Sequence, residues 1–161
     1  MEVDPGNQTQ RVLISSNTAR YRGIEAFSGT NKVVTSATAL NKLVILDSLS
    51  GQIERELTTS GFIRSFSTFG HCVIAGIDGT DSIEVFDLNS SQTKPVLTEG
   101  VNLTENDFSG IKNIAVDDKT GTVFARSNIP CNPSITTCDK DFNRVVSFGD
   151  SLAESLRNRC R

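Results

Sequence analysis

The sequence predicts an all-β protein built from antiparallel four-stranded units, with a short helix at its C-terminus. Short segments rich in β-branched residues alternate with clusters of Gly, Asn, Asp and Ser, as in strands joined by tight turns. The same order of segments recurs about every 40 residues, which indicates a repeat. The 161 residues are enough for one domain with a buried core.

The repeat is clearest in two strands that each end in an aspartate. Lys42–Asp47 runs into Ser-Leu-Ser-Gly, and Ser82–Asp87 runs into the similar turn Leu-Asn-Ser-Ser. The upstream hairpins align as well, and a third copy follows. The matching segments are Gly23–Phe27 with Lys32–Ser36, Phe62–Phe66 with His71–Ala75, and Ile111–Val116 with Thr122–Ala125.

Each unit is therefore predicted as short strands joined by turns in which Gly supplies a positive φ. The predicted strands are Gly23–Phe27, Lys32–Thr38, Lys42–Asp47 and Gln52–Thr58; Ile63–Phe69, His71–Asp78, Ser82–Leu88 and Thr93–Thr98; and Lys112–Val116, Thr122–Arg126 and Arg144–Phe148. Phe66, Phe86, Phe124 and Phe148 lie in these apolar segments and are expected in the core.

The units occupy about residues 22–60, 61–100 and 108–150 of a single domain that covers residues 10–161. Residues 1–9 are polar and predict a flexible tail. Arg11–Ser15 is apolar enough for one additional strand. At the other end, Ser151 and Glu154 have capping-box spacing, and Leu152 and Leu156 share a face, which predicts a helix over residues 151–160.

The four-stranded unit resembles the blade of a β-propeller. Leu43–Gln52 looks like the turn between the third and fourth strands of WD40, YVTN and quinoprotein-type repeats, and Ala115–Phe124 is similar to their first turn. The chain lacks tryptophan and the glycine doublets of kelch blades, and its single histidine cannot supply the Gly-His signature that WD40 blades repeat. The resemblance spans residues 22–150 and implies the fold alone. A β-sandwich of about 10–12 short strands is the alternative.

Three blades imply an incomplete ring. Propellers close with roughly four to eight blades, because each blade packs its faces on its neighbours. Three blades alone leave two apolar faces bare. We therefore expect a larger assembly, in which a protein partner or other copies of this chain complete the propeller. A strand near Val12–Ile14 would then complete a blade of a partner.

Composition excludes several classes of function. The net charge is −3, and the 16 basic residues are dispersed among 19 acidic ones, so no nucleic acid partner is expected. No apolar run reaches the about 18 residues of a membrane span. Met1–Gly6 lacks a signal-peptide core, which leaves a cytoplasmic location, or an extracellular one if a leader has been removed. No cofactor motif is present.

Residues that could carry chemistry have a structural interpretation as well. His71 is the single histidine and is interpreted as a turn residue; Cys72 is interpreted as a buried thiol on the opposite face of the strand. The aspartates of the turns, including a weak Ca²⁺ candidate at Asp78 and Asp81, are interpreted as turn caps. By resemblance to lactonase propellers, Glu25, Asn113 and Asp117 would lie around a channel. Neither a catalytic nor a metal site is predicted.

The insertion at residues 127–143 interrupts the third unit. Its candidate binding residues are Cys131, Pro133, Cys138, Asp139 and Asp141, and it is either a partner-binding loop or a mobile surface loop. Cys131 and Cys138 are close enough in sequence for a disulfide.

Two sequons, at Asn89 and Asn102, are candidate glycosylation sites in predicted loops. The predicted function is a non-catalytic protein-binding or scaffolding module within a larger assembly. The alternative is a propeller-type hydrolase, lactonase or lectin with carboxylates at the mouth of the channel.

Overall fold

The computed structural model describes residues 12–100, 111–129 and 142–161. These residues form eleven strands, one 3-10 turn and one helix. The elements are β1 (Tyr21–Ala26), β2 (Lys32–Ala37), a 3-10 turn (Thr38–Leu40), β3 (Lys42–Asp47), β4 (Ile53–Thr58), β5 (Phe62–Phe69), β6 (Cys72–Asp78), β7 (Ser82–Asp87), β8 (Leu97–Gly100), β9 (Ile111–Val116), β10 (Val123–Ile129), β11 (Phe142–Ser147) and α1 (Asp150–Cys160).

The strands form three antiparallel sheets, each a simple meander. Blade 1 has the order β1-β2-β3-β4, blade 2 the order β5-β6-β7-β8, and blade 3 the order β11-β10-β9. Every strand pairs with a neighbour in its own blade. The predicted all-β class, with antiparallel blades and a short C-terminal helix, is therefore confirmed.

The first strands of the blades lie side by side and carry the same irregularity. β5 contacts both β1 and β9. Each of the three strands has one residue without a partner in the register: Gly23, Arg64 and Lys112. Gly23 has a φ of 63°, and a Cβ there would lie 3.1 Å from the Phe66 ring of blade 2. Glycine at this bulge therefore lets blade 2 approach blade 1 closely.

Blades 1 and 2 are held together by a buried apolar layer. Alternate residues of β2 and β3 point toward blade 2, where they meet alternate residues of β5 and β6. Burying one such Val, Leu or Ile side chain contributes about 1.5–3 kcal/mol. The layer consists of Phe27, Val34, Leu43, Ile45, Leu57, Ile63, Phe66, Val73, Ala75, Ile77 and Phe86.

Blades 2 and 3 share a second apolar layer, and α1 closes one end of it. The layer joins Ile74 and Val85 of blade 2 to Val123 and Ala125 of blade 3. Leu152 and Leu156 of α1 are buried in the same layer, as their spacing in the sequence predicts. Within the described ranges, no helix has the length and apolar character needed to cross a bilayer.

The helix differs from its prediction at its first turn. It begins at Asp150, Gly149 is the N-cap, and no side chain caps the helix. The predicted capping role of Ser151 is therefore wrong, because Ser151 already lies inside the first turn.

Cys72 is not the free thiol that the sequence suggested. It is fully buried, and its sulfur is bonded to that of Cys160 at the end of α1. The pairing arises because α1 folds back across the layer between blades 2 and 3 and brings its last turn to the start of β6. The disulfide expected between Cys131 and Cys138 lies outside the described residues.

Residues 12–16 do not form the additional strand that was predicted. Ile14 and Tyr21 instead pack on the outer face of blade 1, against Ala37, Val44 and Leu46. The segment is anchored where Thr38 donates from both its backbone N–H and its hydroxyl to the carbonyl of Arg20, at 3.0 and 2.9 Å. Residues 1–9, the expected flexible tail, lie outside the described residues.

Candidate functional site

An open groove of about 780 Å³ lies at the end of the blades where the first turns of blades 1 and 2 meet the end of α1. Its lining combines aromatic, hydroxyl, cationic and acidic side chains. They include Phe27, Lys32, Thr68, His71, Asp118 and Arg161. This volume is in the range of ligand pockets, although the groove is a surface depression rather than a closed cavity.

His71 is placed in the groove by a tight turn between β5 and β6. Gly70 in this turn has a φ of 56°, and a Cβ there would lie 1.8 Å from the carbonyl oxygen of Cys160. The backbone N–H of His71 donates to the same carbonyl at 2.9 Å, and its own carbonyl accepts from the N–H of Leu88 at 3.1 Å. His71 is thus held between the last turn of α1 and the residue that follows β7.

The imidazole of His71 faces the carboxylate of Asp87. Nε2 of His71 lies 3.3 Å from Oδ1 of Asp87, which also accepts the N–H of Asn89 at 2.8 Å. His71 lies in the turn that precedes β6 and not in the predicted strand His71–Asp78, and no pattern in the sequence indicates its partner. The register of β6 and β7 explains the contact. It places Asp87 opposite Cys72, and therefore next to His71.

Cys72 completes a compact group with these two residues. The nearest ligand atoms of His71, Cys72 and Asp87 all lie within 4.8 Å of one another. The prediction that His71 and Cys72 point apart is wrong, because His71 belongs to the turn and strand alternation does not apply to it. The Cys72 sulfur is bonded to Cys160 and is therefore not free to bind a metal in this form.

The aspartates that precede turns act as turn residues. Oδ1 of Asp47, Asp87 and Asp117 accepts the backbone N–H two residues further along the chain. The Lys119 N–H, followed by the Thr120 hydroxyl, holds the pKa of Asp117 below its ordinary value. This geometry agrees with the turn interpretation of Asp117.

At the Ca²⁺ candidate, the carboxylate of Asp78 is paired with Nε of Arg64 at 2.7 Å. Asp81 has a φ of 48°, a turn conformation. The Asp78 carboxylate is thus directed at a guanidinium group rather than at a shared point with Asp81.

A second, smaller cleft lies along the inner strands. It has a volume of about 230 Å³ and brings together Glu25, Asn113 and Arg64. Asp117, which the lactonase resemblance grouped with the first two, is not among its lining residues. Burial raises the pKa of Glu25 above its ordinary value of 4.5, although the carboxylate accepts the Thr68 N–H at 2.7 Å.

The outer face of blade 3 carries exposed apolar side chains. Phe124, expected in the core, is 39% exposed, and Val145 on the neighbouring strand is 65% exposed. The register pairs Ser147 with Phe124 and Val145 with Arg126, so Phe124 and Val145 share the face that points away from blade 2. Among the described residues, the outer edge of β11 pairs with no strand, whereas β3 and β7 each pair with a fourth strand.

Blade 1 differs from blade 3 in this respect. The centre of its outer face is covered by Ile14 and Tyr21, and Ile24 and Ile53 remain exposed at its margins. Among the described residues, the outer face of blade 1 is therefore partly covered, and apolar side chains are exposed on the outer face of blade 3.

Several predicted site residues fall outside the described part of the chain. These are Cys131, Pro133, Cys138, Asp139 and Asp141 of the insertion, and the sequon residue Asn102. Asn89 is exposed in the connection between β7 and β8, a position open to modification. Asp87 and Cys160 were missed because their roles depend on contacts between distant segments.

The fold is similar to that of two solved structures, one of which is a β-propeller domain. Hydrazine synthase from Kuenenia stuttgartiensis superposes with a TM-score of 0.60 at 10% identity, over 76% of this chain and 33% of that chain. The WD40 β-propeller domain of Doa1 superposes with a TM-score of 0.53 at 8% identity, over 66% of this chain and 33% of that chain. No protein-family model matches the sequence, and no curated protein does either. The chain thus has a propeller-like fold, spans about a third of the length of these two structures, and shares with them the fold alone.

Proposed function

We propose that this chain is a protein-binding or scaffolding module of the propeller type, which another polypeptide completes at the open face of blade 3. The observation that carries the proposal is the exposure of Phe124 and Val145. They lie beside the outer edge of β11, which pairs with no other strand among the described residues. An apolar face next to a free strand edge is a surface on which another β-structure can add.

The expected occupant is another antiparallel blade. Phe124 lies in the second strand of blade 3, on the face turned away from blade 2. Ile74 lies in the second strand of blade 2 on the corresponding face, and there it is fully buried against blade 3. An added blade would therefore pack on blade 3 in the way that blade 2 packs on blade 1 and blade 3 packs on blade 2. That the chain spans about a third of two larger propeller-like structures supports the same arrangement.

Measuring the mass of the protein in solution, with identification of any chain that co-purifies, tests the proposal. We expect a complex, either with a second β-rich protein or with further copies of this chain. Phe124→Glu should weaken the association at least tenfold, since a charge would be buried in an apolar contact. Leu49→Glu is the matched control, because Leu49 is 64% exposed in a turn of blade 1. A folded, soluble monomer with no partner would contradict the proposal.

We further propose that the insertion contacts the same partner. Residues 130–141 connect β10 to β11, both of which are strands of blade 3. We therefore keep Cys131, Pro133, Cys138, Asp139 and Asp141 as candidate contacts for the partner. Replacing residues 130–141 with a short Gly-Ser linker should lower the affinity for the partner found above, and an unchanged affinity would remove these residues from the surface.

A second candidate function is a carboxylate site for a sugar or a small ester at the inner cleft. Glu25, with its raised pKa, and Asn113 line this cleft together, and carboxyl groups with raised pKa values are common at catalytic sites. Glycan-array binding and ester-hydrolysis assays on wild type and Glu25→Gln test it. No signal in either assay would exclude this candidate.

A further inference from the structure

We propose that Cys72, Cys160, His71 and Asp87 form a Zn²⁺ site once the disulfide is reduced. In the oxidised protein the two sulfurs are bonded to each other, and the ligand atoms of His71 and Asp87 lie within 4.8 Å of the Cys72 sulfur. Reduction would release two thiols next to an imidazole and a carboxylate. Zinc is the metal that this mixed set of sulfur, nitrogen and oxygen ligands favours, in tetrahedral geometry.

The distances between these ligand atoms fit a tetrahedral zinc site. Bonds of about 2.0–2.1 Å from Zn²⁺ to nitrogen and oxygen, at a tetrahedral angle, place the two ligand atoms about 3.3 Å apart. Nε2 of His71 and Oδ1 of Asp87 are 3.3 Å apart. The Cys72 sulfur lies within 4.8 Å of both partners. The Cα atoms of Cys72 and Cys160 are 5.4 Å apart, so both sulfurs can reach one ion after their bond is broken.

The backbone already holds the ligands in place. The N–H of His71 donates to the carbonyl of Cys160, and the N–H of Leu88, next to Asp87, donates to the carbonyl of His71. These two bonds tie the three segments that supply the ligands. Zinc binding would therefore require little ordering of the chain, which favours affinity.

Burial and charge also suit a metal ion. Both sulfurs lie in the apolar layer between blades 2 and 3, where a thiolate without a counterion is costly. The groove beside partly exposed His71 provides the entry path. Two thiolates and one carboxylate leave a single negative charge on the zinc complex, and the Arg161 side chain lines the same groove.

The chemistry is balanced with a dithiol as the reductant. The protein disulfide takes up two electrons and two protons, and the dithiol becomes a cyclic disulfide. Zn²⁺ then displaces the two thiol protons, so binding strengthens as the pH rises. Re-oxidation by a small-molecule disulfide, which takes up two electrons and two protons and leaves as two thiols, would release Zn²⁺ and restore the covalent bond.

The test is a metal titration of the full chain carrying Cys131→Ser and Cys138→Ser, which removes the other two thiols. The reduced protein should bind one Zn²⁺, and Co²⁺ in its place should give the intense visible absorption of a tetrahedral thiolate complex. The disulfide form should not bind. His71→Gln and Asp87→Asn should each weaken binding by roughly tenfold or more.

Asp47→Asn is the matched control, because Asp47 accepts the same kind of turn hydrogen bond, from the N–H of Leu49, in blade 1, which contains no cysteine. It should bind zinc like the parent, and circular dichroism should show that each variant is folded. Stoichiometric binding by the oxidised form, equal affinity in His71→Gln, or no binding by the folded reduced parent would overturn the proposal.

Discussion

Reducing the Cys72–Cys160 bond should lower the free energy of unfolding by about 4.6 kcal/mol. The bond joins residues 88 positions apart in the sequence, so it restricts the unfolded chain over more than half of its length. The loop-entropy relation gives about 15 cal/mol/K for a loop of this length, which is about 4.6 kcal/mol at 25 °C. With a urea m-value of about 2 kcal/mol/M, the unfolding midpoint should fall by about 2 M.

The measurement compares urea unfolding of the oxidised and reduced protein in the Cys131→Ser, Cys138→Ser background, in buffer that contains a metal chelator. Reduction is preferable to Cys72→Ala, because removing a fully buried sulfur would add the cost of a cavity. A thiol assay on the unfolded, unreduced protein should detect no free thiol. A loss below about 1 kcal/mol would refute the reasoning, since loop restriction would then not govern stability.

Three further predictions rest on single positions. Gly70→Ala should unfold at a much lower urea concentration than Gly79→Ala. A Cβ at Gly70 would lie 1.8 Å from a carbonyl oxygen, whereas a Cβ at Gly79 would have no atom within 4 Å. The positive φ costs each variant about 1–2 kcal/mol. Burial raises the pKa of Glu25, so the folded state binds the Glu25 proton more tightly than the unfolded state does. The resulting contribution to the free energy of unfolding is complete below pH 4.5 and is lost as the pH rises through the folded-state pKa. Glu25→Gln should remove that part of the pH dependence of unfolding; an identical profile would contradict it. Expression through a secretory pathway should add a glycan to exposed Asn89, so Asn89→Gln should lower the mass of the secreted protein by one glycan, and an unchanged glycan mass would contradict it.

The sequence predicted the blades well because their pairing is local. Lys42–Asp47 was predicted to the residue, since both neighbours of this strand follow within a short turn. The last strand of blade 2 was predicted at Thr93–Thr98 but is Leu97–Gly100. Pro95 explains the shift, because proline has no N–H to donate to the ladder.

The candidate site was less predictable because it depends on distant contacts. Asp87 reaches His71 only through the register of β6 and β7, and an error of one residue in that register would move Asp87 to the other face. Cys160 reaches Cys72 only after α1 packs across two blades. No spacing rule in a single sequence gives either contact.

The two terminal blades differ in how far their outer faces are covered, so the two ends of the unit are not equivalent. A surface that is bare at both ends invites head-to-tail stacking without limit, which is how filaments arise. Among the described residues, Ile14 and Tyr21 cover the middle of one terminal sheet, and Phe124 is exposed on the opposite one. If another blade adds at Phe124 as proposed, growth would proceed from that side only, which would favour a finite complex over an open-ended fibre.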